Sequence, residues 1–367
     1  MKGLVDYINE AFSEARKTLI DYLNDENNSI RDKDLIRALN VVTNMKEEIF
    51  DSLKEDTFKG NIKAFKALMN EIEHAHLKAE FIALLDNKDK FPNLEDLKKH
   101  NNIYDLFNKD TIELSKEQKD LIDIILKIST KDEKAKGIGK GEIFFNTFIK
   151  GAGKGSNGDI NIDNEIFEIK GSNSSNKDNT GYKNGGRIRG NNDEIKSPKE
   201  IINFLIKEFD NENITDILEK NYISGPNNIT KICKLISDLN IADDVIFNTF
   251  ARGYYYQLFG DPDKMDENVK EYINSLTYTL DNIGNVLIEQ IHAILALIKY
   301  QMVEHWDNIL PINVDNGKYY ILSKKNVSFE NIVQLANECN EYLHFQDGPS
   351  NTKGANTQNY VSSIYVK

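Results

Sequence analysis

Apolar positions recur at helical spacing through the first third of the chain. Leu4, Val5, Ile8, Phe12, Leu19, Ile20 and Leu23 fall at helix-face intervals, interleaved with Asp6, Glu10, Glu14 and Arg16. That pattern is an amphipathic helix, whereas a secretory signal needs a continuous apolar stretch behind a basic start. Asn28 and Ser29 can cap a second segment with Ile30, Leu35, Leu39, Val42, Met45, Ile49 and Leu53 on one face. A third carries Ile62, Phe65, Leu68, Met69, Ile72, Phe81 and Leu84, and the Phe91-Pro92 step sets its latest end. Ser115 and Gln118 make a capping box ahead of Leu121, Ile122, Ile125 and Ile128. Residues 1–130 are therefore expected to form an α-helical N-terminal domain.

The texture changes between Gly137 and Gly190. Twelve of the chain's 21 glycines fall within those 54 residues, a density that marks backbone turning sharply or approaching something closely. Ser197-Pro198-Lys199-Glu200 then predicts a helix start, with a capping box and proline at the first helical position. Residues 283–306 read as a long apolar-striped helix. A hairpin follows, over 308–314, the turn Asp315-Asn316-Gly317, and 318–323. A short helix from Ser328 and a terminal strand near residues 360–366 complete an α/β or α+β half over residues 131–367, with helices inserted between its strands.

Charge narrows the functional classes. The 367 residues carry 46 Lys and Arg against 59 Asp and Glu, a formal net charge of −13. At roughly 100–200 residues per domain the length allows two or three domains. The 40% hydrophobic and 29% charged fractions exclude global disorder and collagen-like or coiled-coil arrays. A uniformly basic nucleic-acid binder is excluded as well, so phosphate could be met only at a local basic region. Residues 134–190 supply one: ten positive side chains stand against six negative ones, net +4, which leaves −17 for everything else. Cys233 and Cys339 alone give neither a disulfide framework nor a zinc knuckle, and fit a reducing, cytoplasmic setting. The longest apolar stretch, residues 291–298, is interrupted by His292 and is too short to span a bilayer, so no membrane partner is expected. Six arginines against 40 lysines, with abundant Asn, is the usage that AT-rich coding produces.

The chemistry-bearing residues lie inside the basic, glycine-rich segment. Asp159 to Ile162 alternates polar and apolar, Asp163-Asn164 is turn chemistry, and residues 166–170 can return as a second strand. On that strand the two-residue period puts Glu168 and Lys170 on one face and Phe167 and Ile169 on the other, with Asp159 brought beside the first pair. Two close carboxylates are a hard-oxygen site for Mg²⁺, which takes few protein ligands and keeps waters. Such an ion activates water and offsets the charge that builds during phosphodiester cleavage. Lys170 is placed to orient the attacking water. Upstream, Gly141 opens a short helix whose first turn carries Glu142, a third carboxylate.

Glu142, Asp159 and Glu168-Ile169-Lys170 together resemble the PD-(D/E)xK nuclease superfamily of restriction enzymes, recombination exonucleases and phage nucleases. The resemblance covers residues 134–200 and implies a restriction-endonuclease-like core with a mixed sheet within residues 131–367. It also implies Mg²⁺-dependent hydrolysis of DNA, as endonuclease or exonuclease, with Mn²⁺ as a substitute. Glu142, Asp159 and Glu168 would hold the metal, and Lys170 would assist the water. The flanks Gly139-Lys140-Gly141-Glu142 and Gly185-Gly186-Arg187-Ile188-Arg189-Gly190 are similar to phage-encoded nucleases and virion-associated proteins, implying a place in a phage particle, and because double-strand cutters of the superfamily often need two active sites the resemblance also implies a homodimer. Lys154, Lys177, Lys183, Arg187 and Arg189 are the expected contacts to nucleic-acid backbone. Two departures stand out: Gly158 occupies the place of the family's proline, and residues 172–183 look like a polar insertion.

Other signals rank lower. Gly153-Lys154-Gly155-Ser156-Asn157-Gly158 satisfies G-x-G-x-x-G but precedes a strand, and no Walker A motif exists. His74 and His76 face different directions on a helix. Tyr254-Tyr255-Tyr256 and the Glu304-His305-Trp306 step read as aromatic packing. Two rival readings remain: a phage structural or DNA-packaging protein that keeps the fold without catalysis, and a helical interaction protein with a glycine-rich loop.

Overall fold

The computed structural model describes residues 87–108, 110–129, 139–154, 158–173, 186–188, 198–221, 229–276, 289–346 and 362–367, with Leu77, Glu80, Phe81, Leu84, Leu85 and Lys196. The helices expected over residues 4–72, and His74 and His76, lie outside these residues. Two compact units divide the chain: residues 1–169 with 314–318, and residues 170–313 with 319–367.

Polar caps start the helices of the first unit. Asn93 closes a capping box on α1 (Leu94–Lys99), and Asn102 accepts from Tyr104 N–H to cap α2 (Ile103–Leu106). The Ser115–Gln118 box forms as the sequence predicts and opens α3 (Lys116–Lys127), with Leu121, Ile122, Ile125 and Leu126 buried. Each cap pairs backbone N–H groups that a helix start leaves without partners. Gly141, at a φ of 85°, precedes α4 (Glu142–Phe148), and its N–H donates to Leu126 O at 3.0 Å. Every α4 residue after Glu142 is buried. Phe148 sits at the centre of an aromatic cluster, its ring centroid 5.4 Å from those of Phe91 and Phe144, 6.2 Å from Phe81 and 6.4 Å from Phe107.

From α4 the chain enters an antiparallel meander of β1 (Ala152–Lys154), β2 (Ile160–Ile162) and β3 (Glu165–Ser172). The Asp163-Asn164 turn has positive φ at both residues, 47° and 74°, the backbone that tight two-residue hairpins require and that Asp and Asn tolerate. Ile160, Ile162, Phe167 and Ile169 are buried, so the alternating pattern has turned the apolar face inward. The turn at residues 314–318 belongs to this unit too. Gly317, at φ 71°, accepts from Ile103 N–H at 2.9 Å.

The second unit takes up the last residues of β3 and continues with β4 (Gly186–Ile188), then the helices α5 (Pro198–Phe209), α6 (Glu212–Asn221) and α7 (Ile229–Ser237). Next come α8 (Asp243–Phe259), α9 (Glu267–Ser275) and α10 (Glu289–Val303). The expected 308–323 hairpin follows, as β5 (Asn308–Asn313) and β6 (Leu322–Ser323), paired Asn308 to Ser323 and Ile309 to Leu322. The unit ends with α11 (Ile332–Tyr342), β7 (Leu343–Gln346) and β8 (Ser362–Val366). α8 packs against α5 and α10. Its three tyrosines are packing residues, as expected: Tyr254 stacks on His292 at 4.1 Å and Tyr256 on Phe204 at 4.7 Å. Five strands bond in the order β1-β2-β3-β5-β6, and a second sheet runs β4-β8-β7. The described residues thus have a mixed α/β content, with eleven α-helices and a five-stranded mixed sheet.

Candidate active site

The β2–β3 register sets the geometry. Ile160 faces Phe167, Asn161 faces Ile166 and Ile162 faces Glu165. The ladder closes at Ile160, and Asp159, one residue before β2, is held against β3 by bonds of its own. Asp159 is pinned there from both ends. Its N–H donates to Phe167 O at 3.1 Å, and its Oδ2 accepts from Ile169 N–H at 2.7 Å. The side chain therefore continues the hairpin's hydrogen bonding just beyond the first residue of β2.

Gly158 explains itself at the same place. A Cβ there would meet Ile166 Cγ2 at 2.5 Å and Phe167 O at 3.1 Å, closer than side-chain atoms approach. Proline, the residue expected from the resemblance, would bring that Cβ and a ring. Close approach of the two strands selects glycine.

The alternation on β3 is as expected. Phe167 is 0% and Ile169 4% exposed, while Glu168 and Lys170 are half-buried on the opposite face. Lys170 lies within the second unit, where its Nζ stands 5.3 Å from the ring centroid of Tyr300 on α10.

Glu142 opens α4 as the sequence predicts, but its carboxylate turns back on the preceding loop. Oε1 accepts from Gly139 N–H at 2.5 Å, and a Cβ at Gly139 would strike that same oxygen. Next to it, burial pulls the half-buried Lys140 ammonium below the usual lysine range, against the opposing effect of Asp315. Among the described residues no group of three or more His, Cys, Asp or Glu side chains is gathered to hold a metal ion.

Of the expected backbone contacts, Lys177, Lys183 and Arg189 lie outside the described residues. Lys154 and Arg187 fall on β1 and β4, with their side chains also outside that description.

Two neighbouring residues carry no signal in the sequence reading above. Asn161 pairs with Ile166 and so shares the sheet face of Glu168 and Lys170. Its Oδ1 is shut off from solvent and accepts no hydrogen bond. Neighbouring Gly153, its partner on β1, has no side chain to crowd it. The alternation that placed Glu168 beside Lys170 could have found Asn161, had uncharged oxygens been counted. The other is Tyr300, 130 positions from Lys170, for which no local signal exists.

Some chemistries are disfavoured by the surroundings of their groups. Burial pushes the Cys233 thiol up to about 12 and raises that of Cys339 as well, so neither is a thiolate nucleophile near neutral pH. A surface hollow of about 730 Å³ on α11 is lined by Glu330, Glu338 and Glu341 beside the stacked Tyr320 and Tyr342, an acidic wall that repels phosphate. No helix among the described residues is long and apolar enough to cross a membrane.

No protein-family model matches the chain, and no match was found among curated proteins or solved structures.

Proposed function

We propose that the chain is a divalent-metal-dependent nuclease built on a restriction-endonuclease-like core within residues 131–367, with DNA as its substrate. The observation that carries this reading is the hold of Asp159 on β3, where its Oδ2 accepts from the N–H of Ile169, the residue between Glu168 and Lys170. Mg²⁺ suits Asp159 and Glu168, because it is commonly bound through one or two carboxylates while keeping several waters. The buried, unpaired Oδ1 of Asn161 on the sheet face of Glu168 fits too, as a hard oxygen in need of a partner. Bound there, the ion would supply an activated water and charge neutralisation at the scissile phosphate. Asp159 and Glu168 would hold it, and Lys170 would orient the water. The net +4 of residues 134–190 draws phosphate to this part of an otherwise acidic chain.

One observation favours a second reading. Glu142 is engaged by Gly139 instead of joining the other carboxylates, as suits a phage structural or DNA-packaging protein that has the fold and no catalysis. A cleavage assay separates the two. Supercoiled plasmid, linear duplex and single-stranded RNA are incubated with Mg²⁺, Mn²⁺ or EDTA and with wild type or Lys170→Ala purified alike. The expected result is metal-dependent DNA cleavage by wild type and none by the variant. Equal nicking by both proteins, or no cleavage by wild type, sinks the enzymatic reading.

A further inference from the structure

We infer that Asn161 is a third ligand of the metal ion; the inference rests on the nuclease reading and supplies the oxygen donor that Glu142 does not. Glu142 turns its Oε1 to the Gly139 N–H at 2.5 Å, and no group of three or more His, Cys, Asp or Glu side chains is gathered among the described residues. Asp159 and Glu168 by themselves leave most of an octahedral shell to water. Asn161 is close to both along the hairpin. It comes two residues after Asp159, and its partner across the β2–β3 ladder, Ile166, comes two residues before Glu168 on the same sheet face.

The state of the Asn161 side chain is what points to an ion. Its Oδ1 is shut off from solvent and accepts no hydrogen bond. A carbonyl oxygen buried without a partner is costly, so native folds hold few of them and each calls for an explanation. The residue paired with Asn161 on β1 is Gly153, which has no side chain to offer a donor. An oxygen that holds no hydrogen bond gives none up when it turns to a cation, and the glycine leaves the amide room to turn. Charge favours an amide at this position over a carboxylate. Two carboxylates already balance a divalent ion, and Asn carbonyls are among the hard oxygens that such ions accept. A third carboxylate in the same shut-off place would be strongly destabilising whenever the ion was absent.

Calorimetric titration of Mn²⁺ into the full chain reads the ligand role without any cleavage. Only the binding event that Asp159→Asn abolishes is counted. Asn161→Leu keeps the branched shape and removes both polar atoms. It is expected to weaken Mn²⁺ binding at least about tenfold, because even residues that only support a metal ligand have effects of that size. Without metal its thermal midpoint should rise by about 2 °C, since an acceptor without a partner has been removed. Asn161→Asp puts a charged oxygen in the same place. It is expected to bind Mn²⁺ at least as tightly as wild type and to melt lower when metal-free, with saturating Mn²⁺ restoring the midpoint. Unchanged Mn²⁺ affinity in Asn161→Leu overturns the inference, the more plainly if its metal-free midpoint falls, and leaves the nuclease reading intact. Should Asn161→Leu fail to fold, weaker Mn²⁺ binding by Asn161→Asp than by wild type overturns it. A wild type that binds Mn²⁺ but cuts neither DNA nor RNA overturns the nuclease reading, and the titration alone then decides the ligand role. A wild type that binds no Mn²⁺ overturns both.

Discussion

Replacing Asp159 with Asn is expected to reduce metal-dependent cleavage by at least about 10³-fold, a loss of roughly 4 kcal/mol of transition-state stabilisation. The substitution is chosen because it separates charge from structure. Asp159 Oδ2 accepts from Ile169 N–H at 2.7 Å, a bond that the amide oxygen of asparagine can still accept, so the hairpin should hold its register. What disappears is one of the two negative charges of the proposed metal site, and with it attraction for a divalent cation. Asp163→Asn is the matched control. That side chain sits exposed in the turn four positions away, where asparagine suits a positive φ of 47°, and its loss of charge should leave cleavage within about twofold, as surface charges usually do. Single-turnover rates at saturating Mg²⁺ read the effect. Equal losses in both variants would mean that Asp159 acts only through the general field of the chain.

The second large effect lies in the core. Phe148→Ala should destabilise the first unit by about 3–5 kcal/mol, the usual cost of emptying a fully buried aromatic position. The ring is 0% exposed and meets four other phenylalanines, so the cavity has rigid aromatic walls and little means of collapsing. Denaturant unfolding reads this as a lower midpoint at constant slope. A loss under about 1 kcal/mol would show that α4 is not anchored where it lies. The consequence reaches the site, because α4 leads directly into β1 and carries Glu142 at its first position.

Features set by neighbours in sequence were legible before any coordinates. The Ser115 capping box, the Asp163-Asn164 turn, the inward face of Phe167 and Ile169 and the Gly141 helix start all follow from spacings of a few residues. The 308–323 hairpin did as well, through its Asp-Asn-Gly turn. Long-range partners were not legible. β8 is the central strand between β4 and β7, and its pairing with β4 spans more than 150 positions, which no local period encodes. Glu142 was expected beside the other carboxylates, and its Oε1 accepts from the Gly139 amide three residues away, a local hydrogen bond that needs no long-range closure to form. Gly158 was legible as a departure from the family's proline, but its reason, the approach of Ile166 and Phe167, appears only once the strands are paired.

One metal position separates a nuclease from a structural protein of the same fold. Crystals of the chain grown with Mn²⁺ and a non-cleavable DNA oligonucleotide, and measured for anomalous scattering, test it directly. The predicted result is a Mn²⁺ peak bounded by the carboxylates of Asp159 and Glu168, with oxygen ligands at about 2.0–2.6 Å. Saturating Mn²⁺ with no peak there, or carboxylates held more than about 8 Å apart, a span no single ion of that bond length can bridge, would contradict it.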